Sequence, residues 1–236
     1  MKTLIILSAI LIVALSQAPP VASPPKPCYI YPAFTASVFQ YFVNPSGVEV
    51  NTGIIYINYP AQVVRFDITA GAETFGGNQV NYAVSIFEDF NKQEGWVFDQ
   101  QSKTCSSFPL TVPLGGGEIP SDALFLAELL IGSQPIHEYL FGTADYKFEV
   151  GLTTGSCLLY NVDIYNTTTA GEATLTGSEA FWNVAPSVSP FIFEVPSACT
   201  TTNNLTLAHL GSEARKRKVL AAIEMLNLHH LAFSSY

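Results

Sequence analysis

The sequence is poor in charged residues. Only 12% of its 236 residues are Asp, Glu, Lys or Arg, whereas 48% are hydrophobic; an ordinary soluble domain has roughly twice that charged share. Basic residues are the scarcest: residues 23–199 contain five, against 17 acidic residues, which leaves this part of the chain with a net charge of −12. Because nucleic-acid binding needs clustered Lys and Arg, we expect no nucleic-acid partner.

Motifs of common enzyme classes are also missing. The sequence has no GxSxG nucleophile elbow and no EF-hand loop, and Gly115-Gly116-Gly117 lacks the Lys-Ser/Thr of a phosphate-binding loop. Residues 23–199 contain one histidine, His137, which we predict to be a loop residue. We therefore predict that the protein is not an enzyme. A secreted hydrolase that uses His137, or the acids Glu88, Asp89 and Asp99, remains an alternative.

The N-terminus has the order of features of a secretory signal peptide. Met1-Lys2 supplies a positive charge, Leu4–Leu15 is apolar except for Ser8, and small residues follow between positions 16 and 22. The apolar run is shorter than the ~20 residues that a membrane-spanning helix needs. We therefore expect residues 1–22 to be a signal peptide and the protein to be secreted.

The chain has few cysteines and none in a CxxC pair. Cys28, Cys105, Cys157 and Cys199 lie far apart, which argues against a zinc knuckle or thioredoxin-type chemistry. An even number of cysteines in an exported chain indicates two disulfides. The spacing leaves all three pairings open.

Two sequons predict N-linked glycans, one at Asn166 and one at Asn204. The similar sequence at Asn44 is excluded by Pro45. In a secreted protein with so few charged groups, sugar would add to solubility.

Short segments rich in β-branched and aromatic residues recur along the chain. The predicted strands are Phe34–Val43, Thr52–Asn58, Gln62–Thr69, Asn81–Glu88, Gly95–Gln100, Tyr146–Leu152, Leu158–Tyr165 and Thr174–Asn183. Their hairpin spacing predicts a curved antiparallel sheet rather than βαβ units. A further apolar run, Leu124–Ile131, is compatible with helix or strand.

These features divide the chain into a signal peptide, residues 1–22, a β domain, residues 23–199, and a C-terminal tail, residues 200–236. In the tail, Ser212 can cap a helix on which Val219, Ile223 and Leu226 share one face, behind the basic run Arg215–Lys218. The tail is compatible with a docked amphipathic helix, a membrane-surface helix or a propeptide removed at the basic run.

A series of short motifs follows in a characteristic order. They are Pro27-Cys28, Gly53-Ile54-Ile55-Tyr56, Val64-Arg65-Phe66, Thr104-Cys105, Pro109-Leu110, Ile119-Pro120-Ser121-Asp122-Ala123, Ile131-Gly132-Ser133, Gly155-Ser156-Cys157, Pro186-Ser187-Val188 and Pro196-Ser197-Ala198-Cys199. In order and spacing the sequence from Cys28 to Cys199 resembles the ependymin-related family.

The resemblance implies a secreted glycoprotein whose strongly curved antiparallel sheet, a half-barrel similar to bacterial lipoprotein carriers of the LolA type, surrounds an apolar pocket. It implies that Cys28 pairs with Cys157 and Cys105 with Cys199. It also implies a lipid-like apolar ligand, calcium binding, cell–matrix adhesion and a homodimer. The long tail after Cys199 and the absence of a further cysteine pair depart from the family.

Eight aromatic residues are predicted to line the pocket: Phe66, Phe87, Trp96, Phe98, Phe125, Tyr146, Phe148 and Trp182. No cofactor is expected to be required, and the sequence names no ligand for a calcium ion. Two hypotheses for a non-enzymatic function stand beside each other: a carrier of an apolar ligand, and an extracellular matrix component that carries no ligand.

Overall fold

A computed structural model of the chain describes residues 23–44, 47–75, 78–111, 113–167 and 172–200. The predicted signal peptide, the tail from residue 201 onward and the sequon at Asn204 lie outside the described residues.

The described residues are almost entirely β-structure. The strands are β1 (Ala33–Asn44), β2 (Gly47–Asn58), β3 (Val63–Phe75), β4 (Asn78–Asp89), β5 (Glu94–Asp99), β6 (Cys105–Pro109), β7 (Leu124–Ile131), β8 (Gln134–Gly142), β9 (Tyr146–Thr153), β10 (Leu159–Thr167) and β11 (Ala173–Ala185). Two short helical segments follow, a 3₁₀ helix at Pro190–Phe193 and α1 at Ser197–Thr200. The predicted strands are confirmed, and Leu124–Ile131 is a strand.

Two strands were not predicted, and one of them corrects an expectation. His137 lies in β8 and is paired with Glu128 of β7, so the prediction that it is a loop residue is wrong. Pro135 made this segment look irregular, but it is the second residue of the strand, and proline is tolerated close to a strand's start.

The strands form one antiparallel sheet with the order β6-β5-β4-β3-β2-β1-β11-β10-β9-β8-β7. Strands β1 to β6 and strands β7 to β11 are two meanders of consecutive neighbours, and the pairing of β1 with β11 joins them. Strands β6 and β7 are therefore the two edges of the sheet, although they follow each other in the chain.

The connection between these edges requires the sheet to curve. A flat sheet of this size would be roughly 48 Å wide, and the chain from Pro109 to Leu124 would reach only about 50 Å when fully extended. The connection is not fully extended, because Leu110, Leu114 and Ile119 bury their side chains in the core. The predicted fold class, a mostly β chain with a strongly curved antiparallel sheet, is confirmed.

The core lies on one face of this sheet, the inner face. Residues such as Phe34, Ile55 and Phe66 from the first meander and Phe148 and Val162 from the second are all buried and belong to one cluster. Successive side chains of a strand point to opposite faces of the sheet, which explains why every second residue is buried. On β2, the residues that pair with Phe34, Ala36 and Val38 are buried, and the residues between them are more exposed. The other face of the sheet is called the outer face.

A row of buried polar side chains crosses this apolar inner face. Gln40, Asn51 and Glu179 occupy paired positions on β1, β2 and β11, and Glu49 and Tyr82 lie beside them. The Asn51 Nδ2 donates to Glu49 Oε1 at 2.8 Å and the Tyr82 hydroxyl donates to Asn51 Oδ1 at 2.7 Å. The row therefore satisfies several of its own polar groups in the core, as buried polar groups require.

Two disulfides fix the ends of the β domain. Cys28 is bonded to Cys157 and Cys105 to Cys199, with Cα–Cα distances of 5.9 and 5.1 Å. This is the pairing that the resemblance implied. The bonds close sequence separations of 129 and 94 residues, and in the chain-entropy model loops of this length stabilise a fold by about 4–5 kcal/mol each.

Candidate functional site

The candidate site lies on the outer face, beneath the last described segment. Residues 190–200, here called the strap, run across β4 and β5 and are attached at both ends. At one end the Arg65 Nη1 on β3 donates a hydrogen bond to the Ile192 carbonyl at 2.8 Å. At the other end Cys199 is bonded to Cys105 at the start of β6. The strap is therefore held to the sheet on both sides of the β4–β5 hairpin.

Arg65 is itself fixed by several contacts. Its Nε donates to Asp67 Oδ1 at 2.9 Å, its guanidinium carbon lies 4.8 Å from the centre of the Phe87 ring, and Nη1 holds Ile192 as above. A planar guanidinium can satisfy a carboxylate, an aromatic face and a carbonyl at once, which an ammonium group cannot do with the same geometry.

A cavity of about 620 Å³ lies between the strap and the sheet. Phe87 and Trp96, which pair with each other across β4 and β5, are part of its lining, and both side chains are buried. Phe193 and Val195 of the strap line it from the other side. The volume falls within the range of ligand sites in proteins, which are typically concave and lined mainly by apolar groups with a few polar ones.

The polar part of the cavity lining is dominated by carboxylates. Asp89 and Glu94 are directly paired at the end of the β4–β5 hairpin, and Glu194 belongs to the strap. The one basic residue of the lining is Lys92, whose Nζ lies 2.5 Å from Asp89 Oδ2 and 5.9 Å from the centre of the Trp96 ring. Paired like charges repel each other, so this corner of the cavity favours a cation.

The structure distributes the eight predicted pocket aromatics over three places. Phe87 and Trp96 line the cavity, and Phe98 packs against the small buried cluster that they form with Cys105 and Cys199. The register explains why Phe66 is not with them: Phe66 pairs with Ile86 and faces the core, whereas Phe87 is the next residue and faces outward.

The other five residues do not reach this cavity. Phe66 and Phe148 are fully buried in the inner-face core, and Phe125 and Tyr146 pack against that core from its margin. Trp182 is 41% exposed. Trp182 and Ile54 both pair with Ser37, so they lie on either side of it on the outer face.

The cavity also contains residues that sequence reasoning did not select. Phe193, Glu194 and Val195 all come from the strap, which has little regular structure and therefore gave no periodic signal. The available signal was indirect: Pro190 and Pro196 bracket an apolar segment that ends at Cys199, and a disulfide at that position must return the segment to the body of the protein.

A second cavity, of about 710 Å³, lies between the N-terminal segment and the β6–β7 connection. Its lining includes Lys26, Tyr29, Glu118 and Asp122, all of them exposed. The Tyr29 hydroxyl donates to the Glu118 carboxylate across it. Because its lining includes no buried aromatic residue, it is a weaker candidate for binding an apolar ligand than the cavity under the strap.

Carboxylates also meet on the outer face of β8, β9 and β10. Burial and the neighbouring charges of Glu149 and Asp163 raise the pKa of Glu138. Burial, followed by the same two carboxylates, raises the pKa of Tyr165 to about 12. Among the described residues, no group of three or more His, Cys, Asp or Glu side chains is arranged to hold a metal ion, so the structure names no calcium ligand.

The residues of the alternative hydrolase hypothesis have structural partners. His137 Nε2 lies 2.8 Å from Glu128 Oε2, and its ring packs against Phe125. Asp99 Oδ1 accepts hydrogen bonds from the backbone N–H groups of Gln101 and Ser102 in the turn after β5. The described contacts thus place these groups in a strand pair and a turn.

The described sequon residue, Asn166, is exposed near the end of β10. An exposed side chain is what a glycan at this position requires. The described residues include no helix that is long and apolar enough to cross a membrane.

Comparison with known proteins finds similar solved structures, but it does not assign the chain to a family. No family model matches the chain, and no curated protein matches it. An uncharacterized conserved protein from Thermus thermophilus aligns with a TM-score of 0.45 and 9% identity, over 75% of this chain and 90% of that one.

Two further solved structures align with the chain. A chain of the Pseudomonas aeruginosa MucA/MucB complex aligns with a TM-score of 0.39 and 14% identity. The alignment covers 70% of this chain and 56% of that one. A DUF1329 family protein from Desulfovibrio piger aligns with a TM-score of 0.31 and 8% identity, over 70% of this chain and 90% of that one. At these values the similarity carries no information about function.

The fold and the site together define a class of protein. Its described residues are almost entirely β-structure, with one open, curved sheet and two disulfides, and disulfides are typical of proteins in an oxidising compartment outside the cytosol. Its candidate site is a roofed cavity with an aromatic wall and acidic side chains.

Proposed function

We propose that the protein is a secreted glycoprotein that binds an apolar ligand in the cavity under the strap. The observation that carries the proposal is this cavity, about 620 Å³ in volume, in which the buried rings of Phe87 and Trp96 face Phe193 and Val195 of the strap. The ligand is held by packing against these side chains and by exclusion of water.

This proposal moves the expected ligand from the inner face to the outer face of the sheet. The predicted pocket residues Phe66 and Phe148 are fully buried in a core to which both meanders and the β6–β7 connection contribute. The chain's own side chains therefore cover these inner-face aromatics. Phe87 and Trp96 are also buried, but they lie on the outer face and line the cavity under the strap.

Native mass spectrometry of the secreted protein, before and after removal of lipid, tests this function. We expect the delipidated protein to take up one single-chain amphiphile per chain. We expect Val195→Trp, which adds bulk to the roof, to abolish uptake, and Val188→Trp, outside the cavity lining, to leave it intact. Failure of the wild-type protein to take up fatty acids, phospholipids and sphingolipids would contradict the proposal.

We also propose that the protein is not an enzyme and that it belongs with the ependymin-related proteins. The two disulfides, the curved sheet and the ordered motifs support this relationship. The strand pairing of His137 and the turn contacts of Asp99 support a non-catalytic role. A panel of esterase and glycosidase substrates tests it, and turnover that is lost in His137→Ala would contradict it.

Calcium-dependent adhesion to the extracellular matrix is the second candidate function. It is supported by the acidic surplus of residues 23–199, which contain 17 acidic residues against five basic ones. Calcium would act as a bridging ion rather than as a required cofactor. Calorimetric titration with calcium, with and without glycans, is expected to show binding, and a protein that binds no calcium in either form would contradict this candidate.

A homodimer is the third part of the proposal. The exposed side chains of Phe39, Ile54 and Trp182 on the outer face of β1, β2 and β11 support it, because apolar residues gathered on a surface often mark a protein interface. Sedimentation is expected to give a dimer that Trp182→Glu dissociates. A wild-type monomer at all concentrations would contradict it.

A further inference from the structure

We propose that the ligand of the cavity under the strap carries a positive charge, that is, an organic ammonium group attached to an apolar chain. The inference rests on the proposed function and adds to it the chemical class of the polar group. It follows from the way in which Lys92, Asp89, Glu94 and Trp96 are placed at one end of the cavity.

The lining of the cavity has more acidic than basic side chains. Asp89 and Glu94 occupy directly opposed positions on β4 and β5, and both line the cavity. Directly opposed like charges destabilise a strand pair. Glu88 of β4 and Glu194 of the strap also belong to the lining, so Lys92 alone does not neutralise its acidic side chains.

The ammonium group of Lys92 contacts both a carboxylate and an aromatic ring. Its ammonium nitrogen lies between a carboxylate oxygen of Asp89, at 2.5 Å, and the face of Trp96, 5.9 Å from the ring centre. A cation between a carboxylate and an indole face is the arrangement by which proteins recognise ammonium ligands. Lys92 thus occupies the place that a ligand ammonium would take.

Lys92 is also able to leave this place. Its side chain is 65% exposed, whereas the Asp89 side chain is 17% exposed, and exposed ion pairs contribute little to stability. The backbone N–H of Lys92 separately donates to Asp89 Oδ1 at 3.1 Å, so the turn keeps this contact when the ammonium moves away. A ligand ammonium can therefore displace Lys92 without loss of the hairpin.

The apolar part of the ligand has a place beside this end. Val63, Phe87, Phe193 and Val195 supply apolar side chains to the same lining. A ligand with its ammonium at Asp89 and its chain along these side chains would satisfy both parts of the cavity at once. An anionic amphiphile would place its head group in a cavity whose lining contains four acidic residues and one lysine.

The experiment compares three ligands with the same alkyl chain, decyltrimethylammonium, decyl sulfate and decyl glucoside, each below its micelle concentration. Calorimetry on the full secreted protein gives the affinities. The intrinsic fluorescence of Trp96, measured in a Trp182→Phe background, reports whether binding occurs in the cavity. We expect decyltrimethylammonium to bind at least about tenfold more tightly than decyl sulfate, because cation–π contact and the carboxylates act together.

Two substitutions of lysine separate the proposed competition from a general charge effect. Lys92→Met removes the internal cation, and we expect it to strengthen decyltrimethylammonium binding by about threefold or more. Lys103→Met is the matched control: it removes the same charge from another lysine that lies over an aromatic ring, Phe98, but it does not line the cavity. We expect this control to change the affinity by less than about twofold.

Two substitutions of carboxylates provide the complementary test. Glu94→Gln and Glu194→Gln are each expected to weaken decyltrimethylammonium binding by about threefold while leaving decyl glucoside binding unchanged. Asp145→Asn, in the exposed turn between β8 and β9, is the control for loss of one negative charge.

The outcomes distinguish this inference from the proposed function. Equal affinities for the three ligands, or weaker ammonium binding in Lys92→Met, with a Trp96 response throughout, would overturn the inference and leave the cavity as the binding site. If decyl glucoside and decyltrimethylammonium bind without any Trp96 response, or do not bind, both the inference and the proposed function fail.

Discussion

Gln40 and Glu179 form a hydrogen bond in the centre of the sheet: the Gln40 Nε2 donates to Glu179 Oε1 at 2.9 Å. The two residues are directly paired on β1 and β11, the strands that join the two meanders. Gln40 is 1% exposed and Glu179 is fully buried. A buried carboxylate needs donors of this kind, because water cannot supply them.

Gln40→Leu is expected to destabilise the fold by about 2–3 kcal/mol, because it leaves the buried Glu179 carboxylate with one donor fewer. Urea unfolding measures the change. In a Glu179→Gln background, Gln40→Leu is expected to reduce the free energy of unfolding by less, because residue 179 is then an uncharged amide. Gln101→Leu, at an exposed turn, is the control and is expected to change stability by less than about 0.5 kcal/mol. Equal effects of the two leucine substitutions would contradict this role.

This pair shows where sequence reasoning reaches its limit. The local hairpins, such as β2–β3 around Tyr59 and Pro60, follow from alternation and turn residues, and they were predicted. The β1–β11 pairing joins residues that are 139 positions apart, and nothing in the local pattern encodes it. Gln40 and Glu179 also look like surface residues in the sequence, because burial of polar groups depends on partners that only the fold provides.

Only part of the candidate site can be predicted from the sequence, because the faces of the strands depend on contacts that the local pattern does not specify. The sequence predicts Phe87 and Trp96 as aromatic residues of strands, but it predicts Phe66 in the same way, and Phe66 faces the opposite side. Assigning the faces requires the register, since a shift of one residue exchanges them. The strap was not predictable from periodicity, and only its disulfide to Cys105 indicated that it returns to the sheet.

Gly117→Ala tests the β6–β7 connection that closes the curved sheet. Gly117 has a φ of 73°, and a Cβ atom there would collide with the Tyr59 ring. We expect a loss of about 2–3 kcal/mol, from backbone strain and from displacement of a buried ring.

The neighbouring glycine provides the control. A Cβ atom on Gly116 would meet only Glu118, at 3.7 Å, so Gly116→Ala is expected to be neutral within about 0.5 kcal/mol. Thermal unfolding of the two variants measures the difference. A Gly117→Ala variant as stable as Gly116→Ala would contradict the described conformation of the connection.

Arg65→Lys tests the attachment of the strap. Lysine keeps the charge but cannot bond Asp67 and the Ile192 carbonyl while stacking on Phe87. We expect faster amide hydrogen exchange at residues 191–195, and a loss of global stability of about 1–2 kcal/mol. Lys147→Arg, the reverse change on β9, is expected to leave this exchange unchanged. Unaltered exchange in Arg65→Lys would show that the strap is held by other contacts.

Glu138→Gln is expected to stabilise the protein at neutral pH. The folded state raises the pKa of Glu138 above its ordinary value of 4.5, so the folded state holds this proton more tightly than the unfolded state does. The charged form therefore costs stability above the folded pKa, and this cost disappears as the pH falls below about 4.5.

Thermal unfolding across this pH range tests the sign. The melting temperature of Glu138→Gln should exceed that of the wild type at pH 7, and the difference should vanish in acid. Asp145→Asn, an exposed carboxylate in a turn, is expected to show neither effect. A variant that is less stable than the wild type at pH 7 would mean that the charge of Glu138 has a favourable partner.

Photo-crosslinking with a diazirine-bearing alkyl ammonium probe, followed by peptide mapping of the full secreted chain, tests the central claim most directly. Labels are predicted on the peptides that contain Trp96 and Phe193 to Val195, with competition by decyltrimethylammonium. Labels on inner-face residues such as Phe66 and Phe148, or on Phe39, Ile54 and Trp182 alone, would contradict a ligand site under the strap.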